Sequence, residues 1–560
     1  MKPFVPVALA LVLGACSASR GAPVATAPAP ATPAPATPAP VTPPPAAAPA
    51  LTAAPANWQL LDSATDRVIG TGTLRAKREL LAGRTPARTV TVAVIDGGID
   101  TSHAALRGVL WKNPREVSGN GRDDDANGYT DDDHGWNFIG GRDGRDVNWD
   151  TIELTRLYAR CTAAPAASPA PLDSAQRAEC PAITKEFQAK RQEAQQQLGQ
   201  VTMVEGMLAR TTRILTTALG GDTALTPAKV QALKPASDTV NAARQLYLRM
   251  VASGISQEAI VEAKEDIDGR LKYGFNPSFD PRNIVGDDPA NPKERNYGNR
   301  NVMGPDAKHG THVSGIIGAV RVEGDSAVEG VASAVRIMMV RTVPNGDERD
   351  KDVANAIRYA VDNGAQIINM SFGKGYSPFK GVVDEAVKYA DGKGVLMVHA
   401  AGNDGEDLSK SPSFPTPTYA DGGRAANWIE VGASGWQGVE NLAAPFSNYG
   451  KVQVDVFAPG VDILSTVPGG DFERQSGTSM AAPVVSGVAA LLMSYFPKLT
   501  AADVKKLILD SATRYADAQV TLPGSATGEK VPFGNLSATG GVVNAYAAVK
   551  AALAGMGNVQ

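Results

Sequence analysis

From residue 90 the chain alternates between two hydrophobic periods. VTVAVID (90–96) is a continuous run rich in β-branched residues, bounded by Asp-Gly-Gly, and predicts a buried strand. RIMMVRTV (336–343) predicts a second strand. KDVANAIRYAVDNG (351–364) has helical spacing and a closing glycine. AQIINMSFG (365–373) is a strand, PFKGVVDEAVKYADGKG (378–394) a helix and VLMVHAAGN (395–403) a strand. Strands apolar on both faces, separated by helices of about 10–15 residues, imply an α/β fold with a parallel sheet covered on both sides. Such sheets bind ligands at the carboxyl ends of their strands. Residues 151–275 break this rhythm and read as helical throughout. In 184–219, Leu198, Val201, Met207, Leu208, Ile214 and Leu215 fall near one stripe. Thr226-Pro227 signals a helix start, Val240, Ala243, Leu246 and Met250 continue a second pattern, and 256–271 forms a third.

Composition narrows the class. The 560 residues are 43% hydrophobic and 20% charged, enough apolar material for a large core. Lys+Arg is 54 against Asp+Glu 58, so there is no electrostatic footprint for nucleic acid. Three cysteines exclude a disulfide-framework miniprotein and a four-cysteine zinc site. HExxH is absent, which excludes a zincin.

The amino terminus reads as an address. Residues 1–15 join one lysine to a short apolar run, as in a signal peptide. Leu13-Gly14-Ala15-Cys16 resembles the lipobox of bacterial lipoproteins, which implies lipidation of Cys16; ordinary cleavage near Ala15 is the alternative. Ser17 then goes with outer-membrane sorting, so the expected location is the cell envelope, facing the periplasm or the exterior. Up to residue 56 the chain is dominated by Pro, Ala, Thr and Val. It is expected to form an extended linker of up to ~3.1 Å per residue.

Four separated residues carry the chemistry. Asp96 ends the first strand, and His309 in His-Gly-Thr-His-Val opens an apolar helix. Ser479 in Gly-Thr-Ser-Met-Ala-Ala-Pro opens another, and Asn403 follows Ala-Ala-Gly at the end of its strand. A serine hydroxyl is a weak nucleophile that needs a base, the base needs an orienting carboxylate, and a tetrahedral oxyanion needs preorganised donors. Ser479 is therefore read as nucleophile, His309 as general base and acid, and Asp96 as orienter. Asn403 and the Ser479 N–H are read as the oxyanion hole. His103, His312 and His399 are expected to be structural.

VAVIDGGID, HGTHVSG and GTSMAAP resemble the subtilisin family (subtilases) of serine peptidases, over roughly 57–150 and 276–550. The chain order Asp, His, Ser is that family's order. The resemblance implies a three-layer subtilisin-like fold and a serine endopeptidase acting on proteins or peptides without an organic cofactor. It also implies that Ser371, Phe372 and Gly373 pair with the substrate backbone, and that Ala400, Ala401 and Gly402 wall the main specificity pocket. An interaction protein of the envelope, using the helical insertion as its working surface, is the competing reading. Residues 57–89 look too short for a folded inhibitory propeptide and more like part of a peptidase domain spanning 57–560.

DDDANGYTDDDH (123–134) places Asp123, Asp125, Asn127 and Asp131 at calcium-loop positions 1, 3, 5 and 9, with Gly128 at 6. His134 stands where the bidentate glutamate belongs. Subtilases frequently carry calcium in loops, so a structural calcium is expected, against a merely solvated acidic turn. Asp96 and His309 lie 213 positions apart, because the helical insertion separates them. Cys161 and Cys180, at its start, are expected to pair if the protein is exported, contributing roughly 3 kcal/mol. The insertion is read either as stabilising decoration or as a lid or docking surface controlling access.

Overall fold

The computed structural model describes residues 51–163, 172–322 and 328–557; Cys16 and the expected signal and lipidation region lie outside them. Among the described residues one compact unit comprises Ala54–Thr202 and everything from Lys264 onward, and a second comprises Met203–Ala263.

In chain order the strands are β1 (Val90–Asp96), β2 (Gly135–Asn137), β3 (Val335–Arg341), β4 (Ile367–Met370), β5 (Leu396–Ala400), β6 (Trp428–Ser434), β7 (Val456–Pro459), β8 (Ile463–Val467), β9 (Asp471–Gln475), β10 (Thr513–Arg514), β11 (Gln519–Thr521), β12 (Lys530–Pro532) and β13 (Gly541–Val542). Nine of them form one sheet in the order β10-β13-β7-β6-β5-β4-β1-β3-β2, while β8–β9 and β11–β12 form separate two-stranded pairs. Every pairing in the large sheet is parallel except β10 with β13. β1 therefore lies between β3 and β4, with Asp96 opposite Arg341 at the carboxyl edge.

The helices, numbered alike, are α1 (Glu153–Thr162), α2 (Ser174–Ala218), α3 (Pro227–Ala232), α4 (Asp238–Ala252), α5 (Gln257–Gly269), α6 (Lys308–Gly318), α7 (Asp350–Asp362), α8 (Lys380–Gly392), α9 (Thr478–Tyr495), α10 (Ala501–Asp510) and α11 (Ala545–Gly557). Alternation along β1 explains the layers. Val92 and Val94 join Val313 and Ile316 of α6 and Val484, Val485 and Val488 of α9 in one core. Ala93 and Ile95 join Val353 and Ile357 of α7 and Val383 and Val387 of α8 in the other. The result is the three-layer α/β architecture expected from the pattern. α9 is long and apolar enough to cross a membrane, but 94% of it is buried in the protein, so it is a core helix. Trp58, Leu60, Val68, Ala76 and Leu81 pack into the core of the first unit, so the segment before β1 belongs to it.

The helical insertion is divided rather than single. Its middle, Met203–Ala263, is the second compact unit, in which Leu215, Val230 and Ala243 form a small core with Ile214, Leu225 and Leu233. Its flanks belong to the first unit. There Leu154, Ile183, Phe187 and Phe275 make a common apolar cluster. α2 starts ten residues before the predicted helix because Asp173 and Gln176 cap it reciprocally: Gln176 N–H donates to Asp173 Oδ1 at 2.8 Å and Asp173 N–H to Gln176 Oε1 at 3.2 Å. That Asp-x-x-Gln spacing is a capping box visible in the sequence. Cys161 and Cys180 are joined by a disulfide linking α1 to α2.

Candidate active site

Asp96 is 2% exposed at the end of β1. Its Oδ1 accepts the Gly97 N–H at 2.7 Å, and both carboxylate oxygens lie 2.9 Å from His309 Nδ1. This pairing aims the other ring nitrogen away from Asp96, as a general base requires. His309 occupies the first turn of α6. That helix end can approach Asp96 because the next residue is Gly310, where a Cβ would meet Gly98 O at 2.2 Å and Asp96 Oδ1 at 3.1 Å.

Ser479, 8% exposed, is the second residue of α9. Its hydroxyl donates to the Ser371 carbonyl at 3.1 Å. Among the described residues it forms no hydrogen bond with His309; catalytic hydrogen bonds of free enzymes are often long and tighten when substrate arrives. The Ser371 hydroxyl returns to the Ser479 carbonyl at 2.9 Å. That carbonyl is available because Pro483, four residues on, has no N–H to donate to it. The proline of the Gly-Thr-Ser-Met-Ala-Ala-Pro motif thereby frees the anchor that ties the Ser479 helix to the end of β4.

Asn403 is oriented by the same helix. Its Oδ1 accepts the Thr478 N–H at 2.8 Å and the Thr478 hydroxyl at 3.0 Å. With the carbonyl side of the amide engaged, its NH₂ is the group left to donate. Thr478 Oγ1 also accepts the Gly402 N–H at 3.1 Å. Gly402 has φ +105°, and a Cβ there would meet Asn448 Nδ2 at 2.4 Å, so only glycine fits this turn. Ala400 and Ala401 are buried beside it.

His399, His103 and His312 serve as structural anchors. His399 lies between Glu430 Oε1 at 2.8 Å and the Phe372 carbonyl at 2.9 Å. Glu430 also accepts from Trp428 Nε1 at 2.8 Å. Sequence reasoning missed Glu430; its signal was a lone carboxylate inside an otherwise apolar strand. His103 accepts the Ala105 N–H at 3.1 Å and caps a short helix. His312 Nε2 lies 3.0 Å from both the Ile463 and Glu473 carbonyls, tying α6 to the β8–β9 pair. Burial pushes the His312 imidazole down to about 3. An unfolded histidine takes up a proton below about pH 6.5. The native state thus binds fewer protons than the unfolded state between those values, and this contribution to stability is lost as pH falls from about 6.5 toward 3. The slope approaches ~1.4 kcal/mol per pH unit. His312→Gln is expected to flatten that acid loss, as read from urea midpoints at successive pH values; an unchanged slope would remove the assignment.

The acidic loop forms a carboxylate cluster with a residue that precedes it. Glu116, Asp123 and Asp125 bring carboxylate oxygens within 4.8 Å of one another. Asp131 is not part of this convergence: its oxygens accept the Asn120 and Gly121 N–H groups at 3.1 and 3.0 Å, and Arg300 lies 3.3 Å away. Asn127 Oδ1 accepts from the Tyr129 N–H at 2.7 Å, and its main-chain N–H donates to Asp123 and Asp125. This cluster shares Asp123 and Asp125 with the 1-3-5-9 reading and takes its third carboxylate, Glu116, from outside the loop.

A parallel three-layer sheet with an aspartate-held histidine, a helix-start serine and an oriented asparagine at its carboxyl edge defines the class. The chain belongs to the subtilase family, whose profile matches residues 87–528. It is 44% identical over 187 residues to the thermophilic serine proteinase of Bacillus sp. (strain AK1), covering 33% of this chain and 42% of that protein. It is 37% identical over 210 residues to subtilisin E of Bacillus subtilis (strain 168), covering 37% and 51%. The subtilisin of Bacillus pumilus is 37% identical over 210 residues, covering 37% and 70%. The chain thus spans about half the length of most of these relatives. A solved structure, the S218A mutant of the protease domain of PatA, is 31% identical, covers 44% of this chain and 82% of that one, and has a TM-score of 0.35.

Proposed function

We propose that this chain is an exported serine endopeptidase that cleaves proteins or peptides through an acyl-enzyme. The observation that carries the reading is the Asp96 carboxylate set 2.9 Å from His309 Nδ1 at the sheet edge where the Ser479 helix begins. His309 Nε2 takes the Ser479 proton as Oγ attacks the scissile carbonyl. Asp96 holds the ring and stabilises the imidazolium. The Asn403 NH₂ and the Ser479 N–H receive the oxyanion. His309 then protonates the leaving amine, and water activated by the same ring hydrolyses the acyl-enzyme. Ser371, Phe372 and Gly373 would pair with the substrate backbone as an added strand, and Ala400, Ala401 and Gly402 would wall the pocket beside the scissile bond. A fluorophosphonate probe tests the reading. Labelling of the wild type and none of Ser479→Ala supports it; no labelling of folded wild type removes it.

Calcium is part of this reading. Three carboxylates converge at Glu116, Asp123 and Asp125, a hard-oxygen donor set suited to that ion. Bound only by the folded chain, the ion would stabilise it by mass action. Asp123→Ala with Asp125→Ala is expected to abolish any calcium-dependent rise in Tm; a rise that persists places the ion elsewhere.

The lipobox-like run before Cys16 supports anchoring of the exported protein at the outer membrane by lipid. Cys16→Ser is expected to release the protein into the soluble fraction, since each buried CH₂ of an acyl chain contributes ~0.8 kcal/mol. Continued membrane association would remove the anchor from the account.

A further inference from the structure

Immediately after Ser371–Gly373 come two residues that the insertion holds. The Lys374 side chain is 2% exposed, and its ammonium meets Glu153 Oε2 of α1 at 2.8 Å, Asp350 Oδ1 of α7 at 2.8 Å and the Glu348 carbonyl at 2.9 Å. An ammonium buried among oxygens cannot shift without leaving charges unpaired out of water, so its position is narrowly set. Glu153 is itself fixed, by its N–H to Asp347 Oδ2 at 2.8 Å and by Arg156 at 2.7 Å. Two residues further, the Tyr376 hydroxyl donates to Glu186 Oε2 of α2 at 2.6 Å, and its ring packs on the Leu154–Ile183–Phe187 cluster. α1 and α2 are bound to each other by the Cys161–Cys180 disulfide and by Tyr158 stacked on Phe187, with ring centroids 4.0 Å apart.

The residues on either side of Gly373 are committed. The Phe372 carbonyl lies 2.9 Å from His399 Nε2, and the Lys374 N–H and C=O pair with Phe414 at 3.1 and 2.8 Å. Among the described residues Gly373 has no hydrogen-bond partner for its own N–H or C=O. That is an open backbone edge between two clamped neighbours, the geometry an added strand needs.

We propose that the disulfide-linked pair α1–α2 positions this edge for substrate, with Lys374 and Tyr376 as positioning residues that act through Gly373. This rests on the peptidase reading and assigns a task to the part of the insertion that packs within the first unit. A displacement of about 1 Å at such an edge can lower rate by up to about a hundredfold. Loosening the clamp therefore weakens binding of substrates that lay several residues along Gly373 and spares those too short to reach it.

The test compares a four-residue peptide p-nitroanilide ending in phenylalanine with N-acetyl-phenylalanine ethyl ester, using the full chain. In Cys161→Ser/Cys180→Ser and in Lys374→Met, the ratio of kcat/KM for the tetrapeptide to that for the ester is expected to fall about tenfold or more, through a higher KM. Tyr376→Phe, which keeps the ring and removes only the hydroxyl, is expected to lower the ratio by a smaller factor and serves if Lys374→Met does not fold. A fall in Tm with the ratio unchanged within twofold in every folded, fluorophosphonate-reactive variant would overturn the inference and leave the helices as stabilising decoration. Absence of hydrolysis and of labelling in the unmodified chain would overturn the peptidase reading and this inference together.

Discussion

Ser479→Ala is expected to lower kcat by about 10⁶, the size of effect found when the serine is removed in subtilisin. The Ser479 hydroxyl is the group assigned to form the acyl-enzyme, so its loss leaves what binding and the oxyanion donors achieve with water, about 10³–10⁴ over the uncatalysed rate. The variant should fold. The Ser479 side chain contributes one hydrogen bond, to the Ser371 carbonyl at 3.1 Å, and the tie in the opposite direction uses the main-chain carbonyl, which alanine keeps. Alanine also suits the first turn of a helix. Peptide-anilide turnover by a variant of unchanged Tm is the measurement. A residual rate within tenfold of wild type would mean that another group attacks the carbonyl.

Asn403→Ala is expected to lower kcat by about 10²–10³ with KM nearly unchanged, matching the loss measured for the oxyanion asparagine of this family. A KM-neutral loss follows because the amide meets charge that exists only in the transition state. The reason to assign this to Nδ2 is the engagement of Oδ1 by the Thr478 N–H and hydroxyl at 2.8 and 3.0 Å. Asn403→Asp provides the sharper comparison. It keeps an acceptor for Thr478 and puts an acceptor where the oxyanion forms, so its loss should be at least as large as that of alanine. A loss below tenfold in both variants would place the oxyanion elsewhere.

Much of the site was readable before folding was considered. β1 matches the predicted run at both ends, and His309 and Ser479 open helices as the motifs require. These features are local: period, helix starts and a glycine or proline at a fixed offset act within one or two turns of chain. The predicted strands at 336–343 and 395–403 overran β3 and β5 at their carboxyl ends; after β5 the chain leaves the sheet to place Asn403. Propensity does not mark that exit, because tertiary contacts from Thr478 and Asn448 decide it.

Hydrophobic period in the sequence alone determined the α/β class and the helical character of the insertion, and motif chemistry singled out Asp96, His309, Ser479 and Asn403 as the candidate groups. Only the tertiary structure decided that Glu116 joins Asp123 and Asp125 in the acidic cluster, that Glu430 stands behind His399, and that Glu153 and Glu186 hold the residues following Gly373. Each of these pairs joins side chains from separate elements. A carboxylate's partner is chosen by which strand or helix edge packs opposite it once water is excluded, and no local period records that choice.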